Sequence, residues 1–544
     1  MQKAKGAGKQ RGGEAGFAAV SKARLGKAQS REMLEYVWTP YADIDEENVR
    51  AMILCNMAHT IMLYEQKIIV KREAARILFA LKKLQRLRGK FPFDPVKGDL
   101  FFNIEAYVIE HAGADFGGKM HIGRSRIDLI AALMRLKARK NLSRLIPLVL
   151  KLQEVLLSRA SDTADAVMPA YTHLQPAQVA TFGHYLLAFH DVLGRDLQRL
   201  LNAYKCTNMS PLGAAASAGT SWPLNRDRVA ELLGFSSVME NAKDAAHNYD
   251  WFPEVLAASA ILMSNIVRVA TDLYIWCSYE FGLVELDGAF AASSSIMPQK
   301  KNPYSLEMIR GRTGEISGAF AASLEILKGD TGGTAFDIKL TGPRIADNTV
   351  NRTADMVSLI TPLIKTLIVN RERMLERAGD GFTTAVALAD SLVERGYSFR
   401  TAHHIMGRLV NIASERKLGY REVDKKLLDE AARDITGGGA GMSDKAIRKA
   451  LDPVEFVRAR DGYGGTSPTR VRQMIKNRSR EHRKHEKAVK DQLNALSTSE
   501  AKLLQLVDKI VTQADQCSSR SGVGKHLERG RQHARRMRND IECE

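Results

Sequence analysis

The sequence predicts an all-α protein organised around a bundle of long helices. Apolar residues recur at helical spacing through three long segments, 182–201, 252–281 and 306–327. Uninterrupted helical segments of roughly 20 to 30 residues with little proline are typical of helix bundles. Strand-like alternation is scarce along the chain, so helices are expected to carry the fold.

Changes in pattern and composition divide the chain into five segments. The first segment is rich in lysine, glycine, alanine and glutamine and shows no periodicity, which predicts disorder. Helical patterns then continue towards the C-terminus, with the longest helices in the middle of the chain. The predicted segments are a disordered basic arm (1–31), an N-terminal helical domain (32–130), a central helix-bundle domain (131–380), a small C-terminal helical domain (381–476) and a basic helical tail (477–544).

The tail combines basic ends with one apolar helical face, which predicts that it packs on a partner helix or on the protein's own surface. The basic flanks could bind nucleic acid or another polyanion. The tail contains no aromatic residue on which bases could stack, so a nucleic-acid partner is not expected and polyanion binding stays open. The apolar face consists of Leu503, Leu504, Leu506, Val507, Ile510 and Val511.

Composition favours a cytoplasmic protein. With 45% hydrophobic and 26% charged residues the chain is typical of globular proteins. The apolar run 257–269 is interrupted by Ser264, Asn265 and Arg268, so we expect a buried helix and no membrane partner. No secretory signal follows the basic N-terminus. The five cysteines include no C-x-x-C pair, which indicates free thiols rather than disulfides or a metal site.

The net charge of +18 suits an anionic substrate, because a positive cleft raises the local concentration of anions. Much of this charge lies at the ends, with +7 in residues 1–31 and +5 in residues 477–544. A solvated basic surface is the alternative explanation for the ends.

Residues 293–303, with the sequence SSSIMPQKKNP, form the most informative stretch of the chain. Pro298 and Pro303 predict a fixed loop rather than a helix interior. The loop brings hydroxyls, the ammonium of Lys300 and the amide of Asn302 close together in sequence, and such groups can surround a small anion. A polar loop without a function would not require this lysine and this asparagine together.

Three further stretches carry equally distinctive patterns: GGKMHIGRSRID at 117–128, YTHLQPAQ at 171–178 and GGTSP at 464–468. With the loop, they follow the order of motifs in the fumarase/aspartase/argininosuccinate lyase superfamily, whose loop signature is G-S-S-x-M-P-x-K-x-N. The version Q-K-K-N-P resembles the argininosuccinate lyase branch. The resemblance covers roughly residues 35 to 475, and the chain is identified as a divergent member of this branch.

The resemblance implies a three-domain, all-α fold in which four chains form a homotetramer with a core of roughly 20 helices. Each site would be assembled from three chains. The implied reaction is a reversible β-elimination that releases fumarate from an N-substituted aspartate, with a role in arginine biosynthesis. This chemistry requires no metal or other cofactor, and the sequence shows no metal-ligand spacing. The expected partners are a small carboxylate substrate and further copies of the chain.

The resemblance also assigns roles to individual residues. Alignment with the loop signature assigns proton abstraction from Cβ to Ser294, whose alkoxide Lys300 would stabilise. Proton loss creates a doubly charged aci-carboxylate, which needs fixed positive charge and hydrogen-bond donors. His173 matches the family histidine that contacts the substrate or protonates the leaving group. The residues implied to bind substrate are Ser125, Arg126, Thr172, Gln178, Arg226, Ser295, Asn302 and Arg344.

The chain departs from the family pattern where the leaving group would be held. Ile127 replaces the asparagine of S-R-N-D, and an apolar side chain offers no hydrogen bond. The family's Y-N-K-D-x-Q-E-D-K is aligned with FDIKLTGPR at 336–344, so Phe336 and Thr341 replace a tyrosine and a glutamine. We therefore expect an argininosuccinate lyase-like C–N lyase with an altered leaving-group pocket.

Two alternatives stay open on the sequence alone. The first is another fumarate-releasing lyase of the superfamily, although QKKN at 299–302 argues against the aspartase, fumarase and adenylosuccinate types. The second is a non-catalytic, crystallin-like member, which Ile127 favours and the intact Ser294 and Lys300 oppose.

Overall fold

A computed structural model of the chain describes residues 30–39, 46–87, 90–329, 332–333 and 336–520. The predicted basic arm, apart from its last two residues, and the tail beyond residue 520 lie outside this part. Helices dominate the described chain, which confirms the all-α prediction.

The N-terminal elements form a compact group around α1, whose side chains are buried along most of its length. They consist of a π-helical segment (Met33–Trp38), α1 (Glu46–Glu65), α2 (Lys71–Gln85), a 3₁₀ turn (Pro95–Lys97), α3 (Leu100–Ala112), α4 (Ala114–Gly117) and a second 3₁₀ turn (Gly118–His121). This group leads directly into the first long helix.

Five long helices pack together as the central bundle: α5 (Arg126–Asp162), α6 (Phe182–Thr207), α9 (Trp251–Trp276), α10 (Tyr304–Lys328) and α11 (Phe336–Thr366). Helix α9 begins one residue before the predicted segment 252–281 but ends earlier, at Trp276. A turn follows it, in which Gly282 N–H donates to Ser278 O at 2.8 Å. The central elements are α5 (Arg126–Asp162), β1 (Val167–Thr172), β2 (Gln175–Thr181), α6 (Phe182–Thr207), β3 (Met209–Ser210), α7 (Arg226–Leu232), β4 (Ser237–Val238), α8 (Ala242–His247), α9 (Trp251–Trp276), β5 (Val284–Glu285), a 3₁₀ turn (Gly288–Phe290), β6 (Ala292–Ser293), β7 (Lys301–Asn302), α10 (Tyr304–Lys328), α11 (Phe336–Thr366) and β8 (Ile368–Val369).

Helix α9 is the one helix of the described chain whose length and apolar composition would also suit a membrane span. In the fold, most of its apolar window is buried inside the bundle, as the sequence predicted for this segment. Asn265, one of the polar residues that interrupt it, donates to Asp196 of α6 at 2.9 Å.

The strands are short, and each pairs with a single partner. The longest pair is the antiparallel hairpin β1–β2, which the sequence analysis did not predict because its apolar alternation is brief and includes Pro169. Strand β5 pairs with β8, β6 pairs with β7, and β3 pairs with β4 in parallel.

A C-terminal group of shorter helices has a hydrophobic core of its own, which includes Leu388, Ile405, Leu409 and Leu428. Helices α12 (Arg371–Ala378) and α17 (Pro453–Ala459) connect this group to the hairpin, since Ala378 and Phe456 pack against Val167 and Val179. The elements are α12 (Arg371–Ala378), a 3₁₀ turn (Asp380–Phe382), α13 (Ala385–Val393), α14 (Phe399–Glu415), a 3₁₀ turn (Tyr420–Glu422), α15 (Lys425–Thr436), α16 (Asp444–Leu451) and α17 (Pro453–Ala459).

Helix α18 (Pro468–Arg520) runs 53 residues from the C-terminal group back along α5 to the N-terminal helices. Its apolar face is buried there, with Leu503 and Val507 each 1% exposed. Glu500 also forms an ion pair with Arg50 of α1. The tail therefore packs on the protein's own surface, one of the two targets predicted. The helix crosses residue 476 without a break, and the domain boundaries stay predictions.

Candidate active site

The candidate base, Ser294, lies in a short loop that strands β6 and β7 hold closed. The strands pair Ala292 with Asn302 and Ser293 with Lys301, so residues 294–300 form the connecting loop. Ser294 Oγ accepts hydrogen bonds from the backbone N–H groups of Met297 (3.0 Å) and Ile296 (3.3 Å). Two donors on one oxygen stabilise negative charge there, which is what an alkoxide base requires.

The two lysines of the loop have different environments. Lys301 Nζ donates to Glu285 at 2.7 Å, so its charge is partly balanced within the chain. Lys300 is exposed, and none of the described residues forms a hydrogen bond or an ion pair with its Nζ. Ser295 is exposed beside Ser294, and Asn302 is half-buried in β7. The loop therefore carries an exposed ammonium that has no partner among the described residues, and a half-buried amide.

His173 occupies a backbone conformation that few residues of its type adopt. His173 and Leu174 have φ values of 57° and 58°, and they connect the paired residues Thr172 and Gln175. This is a two-residue hairpin turn with both central residues in the left-handed region, a place usually taken by asparagine or glycine. Non-glycine residues there cost roughly 1–3 kcal/mol each, and such strain often marks a functional site.

The tip of this hairpin is exposed in the single chain. Thr172, His173 and Gln178 are all exposed. The base of the hairpin is buried between α12 and α17, which fixes the direction in which the tip projects. The strained tip is therefore presented outward on a rigid support, as a binding element would be.

Ser125 and Arg126 form a second site group at the start of α5, which we call the clamp. Ser125 caps the helix: its Oγ accepts from Ile127 N–H at 3.2 Å. Arg126 Nη1 donates to the buried carboxylate of Asp99 at 3.0 Å, and its guanidinium lies over the ring of Phe102 at 5.2 Å. These contacts hold Arg126 in place while its side chain stays 35% exposed, so it can still reach a ligand.

Asp128 holds the backbone of the clamp in place through hydrogen bonds. Its carboxylate accepts from the N–H groups of Ser125 (3.0 Å), Gly213 (3.0 Å) and Ala215 (3.1 Å), which ties the start of α5 to the segment before α7. Burial raises the pKa of Asp128 to about 6, although Arg124 and these three N–H groups act in the opposite direction.

The fold should lose stability as the pH rises from about 4 to about 6, because Asp128 ionises in this range. Its pKa in the folded chain is above the ordinary 3.8. The stabilisation from the neutral carboxyl is therefore complete below pH 3.8 and lost as the pH passes about 6, a change of roughly 3 kcal/mol. The measurement is the thermal unfolding midpoint against pH for the wild type and for Asp128→Asn, which cannot ionise.

Asp162→Asn, at the exposed C-terminal end of the same helix, is the matched control and should leave the wild-type profile unchanged. A difference between wild type and Asp128→Asn that is constant from pH 4 to pH 6 would contradict the assignment.

Ile127, the main departure from the family pattern, has an apolar role in this chain. It is half-buried and packs against a small cluster formed by Ala214, Met239, Ala245 and Ala246. The amide that the family places here would leave its polar atoms against this cluster without partners. The surroundings of Ile127 in this chain therefore suit an apolar side chain.

Arg226 is engaged by the backbone rather than held free for a ligand. Its guanidinium donates to the carbonyls of Met239 (2.7 Å), Leu212 (2.9 Å) and Glu240 (3.1 Å). These bonds cross-link the segments on either side of α7. Its predicted role as a substrate contact stays a prediction, and in this chain most of its donors have another use.

Sequence reasoning missed Lys339, in the first turn of α11. It is 5% exposed, and it lies close enough to Arg126 for the two charges to interact. Burial first, and Arg126 second, lower its pKa to about 8. The one signal in the sequence was a lysine at the position where the aligned family pattern has aspartate. The predicted residue Arg344 lies further along α11 and is exposed.

The clamp and the hairpin lie at opposite ends of the bundle. Helix α5 has 37 residues, so at about 1.5 Å per residue it is roughly 55 Å long. Ser125 caps its start, whereas the hairpin follows its end. The stretch from Asp162 to Thr172 could return at most roughly 35 Å, even fully extended. Within one chain, the clamp and the hairpin tip are therefore at least roughly 20 Å apart.

The serine loop belongs to the hairpin end. Glu285, which binds Lys301, is paired in β5 with Ile368, which follows the last turn of α11. Lys339 lies at the other end of that helix, next to the clamp. One end of each chain thus carries the candidate base and His173, and the other end carries the clamp.

Comparison with protein families gives two matches within the chain. Residues 27–318 match a family model described as Lyase, and residues 382–458 match one described as Argininosuccinate lyase C-terminal. The chain is 36% identical to argininosuccinate lyase 1 of Shouchella clausii (strain KSM-K16) over 456 residues, or 83% of this chain and 91% of that protein. It is also 36% identical to argininosuccinate lyase of Methanocaldococcus jannaschii over 481 residues, or 88% and 97% of the two chains.

Two solved structures of EDDS lyase are similar to this chain over most of its length. The crystal structure of EDDS lyase in complex with formate has a TM-score of 0.81 and 33% identity, and the match covers 90% of this chain and 97% of that one. An EDDS lyase variant with bound fumarate gives the same TM-score and identity, with coverage of 90% and 98%.

Proposed function

The chain belongs to the argininosuccinate lyase branch of the fumarase/aspartase superfamily and is a fumarate-releasing carbon–nitrogen lyase, and on this premise we propose that it cleaves an N-substituted aspartate whose amine is not arginine. The observation that carries the proposed mechanism is the pair of N–H bonds on Ser294 Oγ, in the same loop that carries Lys300. Elimination requires a base for a weakly acidic C–H bond, and this loop supplies one.

In the proposed reaction, Ser294 as alkoxide removes the proton from Cβ of the aspartyl group. The electron pair moves into the neighbouring carboxylate and forms an aci-carboxylate. Lys300 and the amide of Asn302 stabilise this dianion. The C–N bond then breaks with the electron pair leaving on nitrogen, fumarate forms, and His173 supplies the proton that the departing amine takes up.

In this proposal, the clamp and the hairpin tip bind the succinyl group. Arg126 can pair with a carboxylate through the N–H groups that Asp99 leaves free. Ser125 and Thr172 add hydroxyls that donate to carboxylate oxygens. Gln178 lies on the same hairpin as Thr172, and Ser295 follows Ser294 in its loop; both belong to the proposed set of substrate-binding residues.

A complete site requires more than one copy of the chain, because the clamp and the base lie at opposite ends of the bundle. An antiparallel neighbour would bring its loop end against the clamp end of the first chain. We propose the homotetramer that the family resemblance implies. The five bundle helices of each chain would then contribute to a core of roughly 20 helices.

Exposed apolar side chains on the bundle support this assembly. Ile261 on α9 and Met308 and Leu324 on α10 are 39%, 48% and 49% exposed in the single chain. Apolar side chains repeated along the long helices are suited to packing against another bundle.

The changed leaving-group segment supports an amine other than arginine. Phe336 and Thr341 replace hydrogen-bonding side chains of the family pattern, and Ile127 packs against alanines. A site that has lost such bonds discriminates against the ligand that needs them, at about 1–3 kcal/mol for each group left unpaired. Argininosuccinate is therefore expected to be a poor substrate.

The test is fumarate formation, followed by ultraviolet absorbance, from argininosuccinate and from a panel of other N-substituted aspartates. We expect release from at least one member of the panel at a kcat/KM above that for argininosuccinate. If argininosuccinate were the best substrate, the proposal of an altered leaving-group pocket would be wrong. No release from any member would favour the non-catalytic alternative.

A further inference from the structure

The segment that leads into the clamp has no regular secondary structure of its own. It follows the second 3₁₀ turn (Gly118–His121) and runs through Ile122, Gly123 and Arg124 to the start of α5. Gly123 has a φ of 69°, and a Cβ atom there would lie 3.0 Å from the side chain of Leu224. Because no helix or strand fixes this path, contacts with neighbouring elements must hold the clamp in position.

Helix α1 supplies two of these contacts from one side. Arg124 Nη2 donates to Asn56 Oδ1 at 2.6 Å, and His59 Nε2 lies 2.9 Å from the carbonyl oxygen of Ile122. Asn56 and His59 are three residues apart, so they are neighbours on the same face of the helix. Both are 1% exposed. The segment is therefore tied to α1 at two adjacent points, once through a side chain and once through the backbone.

The carbonyl fixes the chemistry of the second contact. A carbonyl oxygen can only accept, so His59 donates through Nε2. Burial first, and Arg124 second, lower the pKa of His59 well below its ordinary value. The ring is therefore neutral, and its Nδ1 carries no proton. In this position the histidine serves as a hydrogen-bond donor to the backbone rather than as an acid or a base.

Stability alone does not account for these buried polar groups. Most of the side chains that α1 buries are apolar, and a polar group among them costs free energy unless it is bonded. Arg124 is 6% exposed, and its Nε and Nη1 have no hydrogen-bond partner within the described ranges. The carboxylates of Asp128 and Glu105 favour its charge without a hydrogen bond to it. Apolar side chains of similar volume often give a fold at least equal stability, so what this arrangement supplies is a defined position.

That position is passed on to the clamp, because Ser125 and Arg126 directly follow Arg124. Asp128 of α5 accepts from Ser125 N–H at 3.0 Å, and Asp99 at the start of α3 accepts from Arg126 Nη1 at 3.0 Å. The clamp thus has three anchors, which lie on α5, at the start of α3 and on α1. A shift of about 1 Å in a group that positions substrate can cost about 100-fold in rate.

Resting on the proposed function, we propose that Asn56 and His59 are positioning residues for the clamp. They do not touch the substrate. By holding the segment 122–124, they set the place at which Ser125 and Arg126 meet a carboxylate of the succinyl group. Affinity for any ligand that presents this carboxylate, fumarate included, therefore depends on two side chains of α1, whatever amine the substrate carries.

The test is the affinity of the full-length protein for fumarate, measured by calorimetry. Asn56→Leu keeps the volume of the side chain and removes the acceptor, and we expect it to weaken fumarate binding at least about tenfold. Asn56→Asp keeps an acceptor for Arg124 and should retain an affinity within about threefold of the wild type. An unchanged affinity in Asn56→Leu would overturn the proposal, and so would an Asn56→Asp variant that binds as weakly as Asn56→Leu.

His59 gives a second test that does not depend on the first bond. His59→Phe removes the donor to Ile122 O and should weaken fumarate binding, whereas His59→Gln, whose amide nitrogen can donate to the same carbonyl, should recover part of the affinity. Because these variants leave Asn56 intact, they decide the proposal even if Asn56→Leu does not fold. Equal affinity of the wild type and His59→Phe would remove His59 from the proposal.

A matched control separates positioning from a general loss of stability. Asn265→Leu removes another asparagine that is bonded inside the bundle, to Asp196 at 2.9 Å. It should lower the thermal unfolding midpoint and leave the affinity for fumarate unchanged. If Asn265→Leu weakened fumarate binding as much as Asn56→Leu, the effect would be one of stability, and the proposal would be wrong.

Failure of the proposed function is distinguishable from failure of this inference. The first would appear as a wild-type protein that releases no fumarate from any adduct. The second would appear as a wild-type protein that releases and binds fumarate, with an affinity that Asn56→Leu and His59→Phe leave unchanged. A wild-type protein that binds no fumarate would also overturn the inference, because the clamp would then hold no succinyl carboxylate.

Discussion

The Ser294→Ala variant is expected to lose about 10²–10⁴-fold in kcat for its best substrate, the range for removing a group that transfers a proton in the transition state. The methyl group cannot accept the Cβ proton, and the two N–H groups of Ile296 and Met297 lose the oxygen that they stabilise. KM should change much less, because the clamp and the hairpin tip remain. The measurement is the initial rate of fumarate release over a range of substrate concentrations.

Ser293→Ala is the matched control, since it removes the neighbouring hydroxyl from the same loop. It should retain kcat within a few-fold. Circular dichroism and the thermal midpoint of both variants should equal those of the wild type, because Ser294 is not part of a hydrophobic core. A Ser294→Ala variant with nearly normal kcat would show that Ser294 is not the base. A larger loss of kcat in Ser293→Ala than in Ser294→Ala would assign the base to Ser293.

Two inactive variants should restore activity when they are combined in one assembly. Arg126→Gln removes the charge of the clamp, and Ser294→Ala removes the base at the opposite end of the bundle. If each site takes its clamp and its loop from different chains, random mixing at equal amounts makes about a quarter of the sites intact. The measurement is fumarate release by co-expressed, doubly tagged assemblies, compared with each variant alone.

The control is a chain that carries both substitutions, co-expressed with either single variant, which should recover nothing. No recovery from the two single variants would show that clamp and base act within one chain. The roughly 20 Å separation derived from the length of α5 would then have to close by a large rearrangement.

The sequence was most informative where a pattern is long or a motif is dense. Helices α6, α9 and α10 follow from apolar periodicity, and the 293–303 stretch forms the non-helical loop that its prolines predict. The hairpin β1–β2 was missed, because its strands are short and its turn uses His173 and Leu174 where glycine or asparagine would have signalled it.

Other features depend on contacts between residues that are distant in sequence. Nothing in the local pattern shows that the guanidinium of Arg226 meets the carbonyls of Leu212 and Met239. The burial of Lys339 beside Arg126 likewise arises only when α11 packs on the start of α5. Apolar periodicity does not distinguish the environments of these two cations, because it reports on apolar positions and not on contacts between distant segments.

Helix α18 has a consequence for synthesis of the chain on the ribosome. Its partners on α1 and α2 are made first, yet Glu500 follows its partner Arg50 by 450 residues and Gln513 follows Lys71 by 442. At about 5–20 residues per second, the apolar surface that Leu503 and Val507 cover waits roughly 20–90 s for its partner. The nascent N-terminal helices therefore expose an apolar surface during most of translation. A chaperone that shields this surface is expected to raise the yield of folded protein.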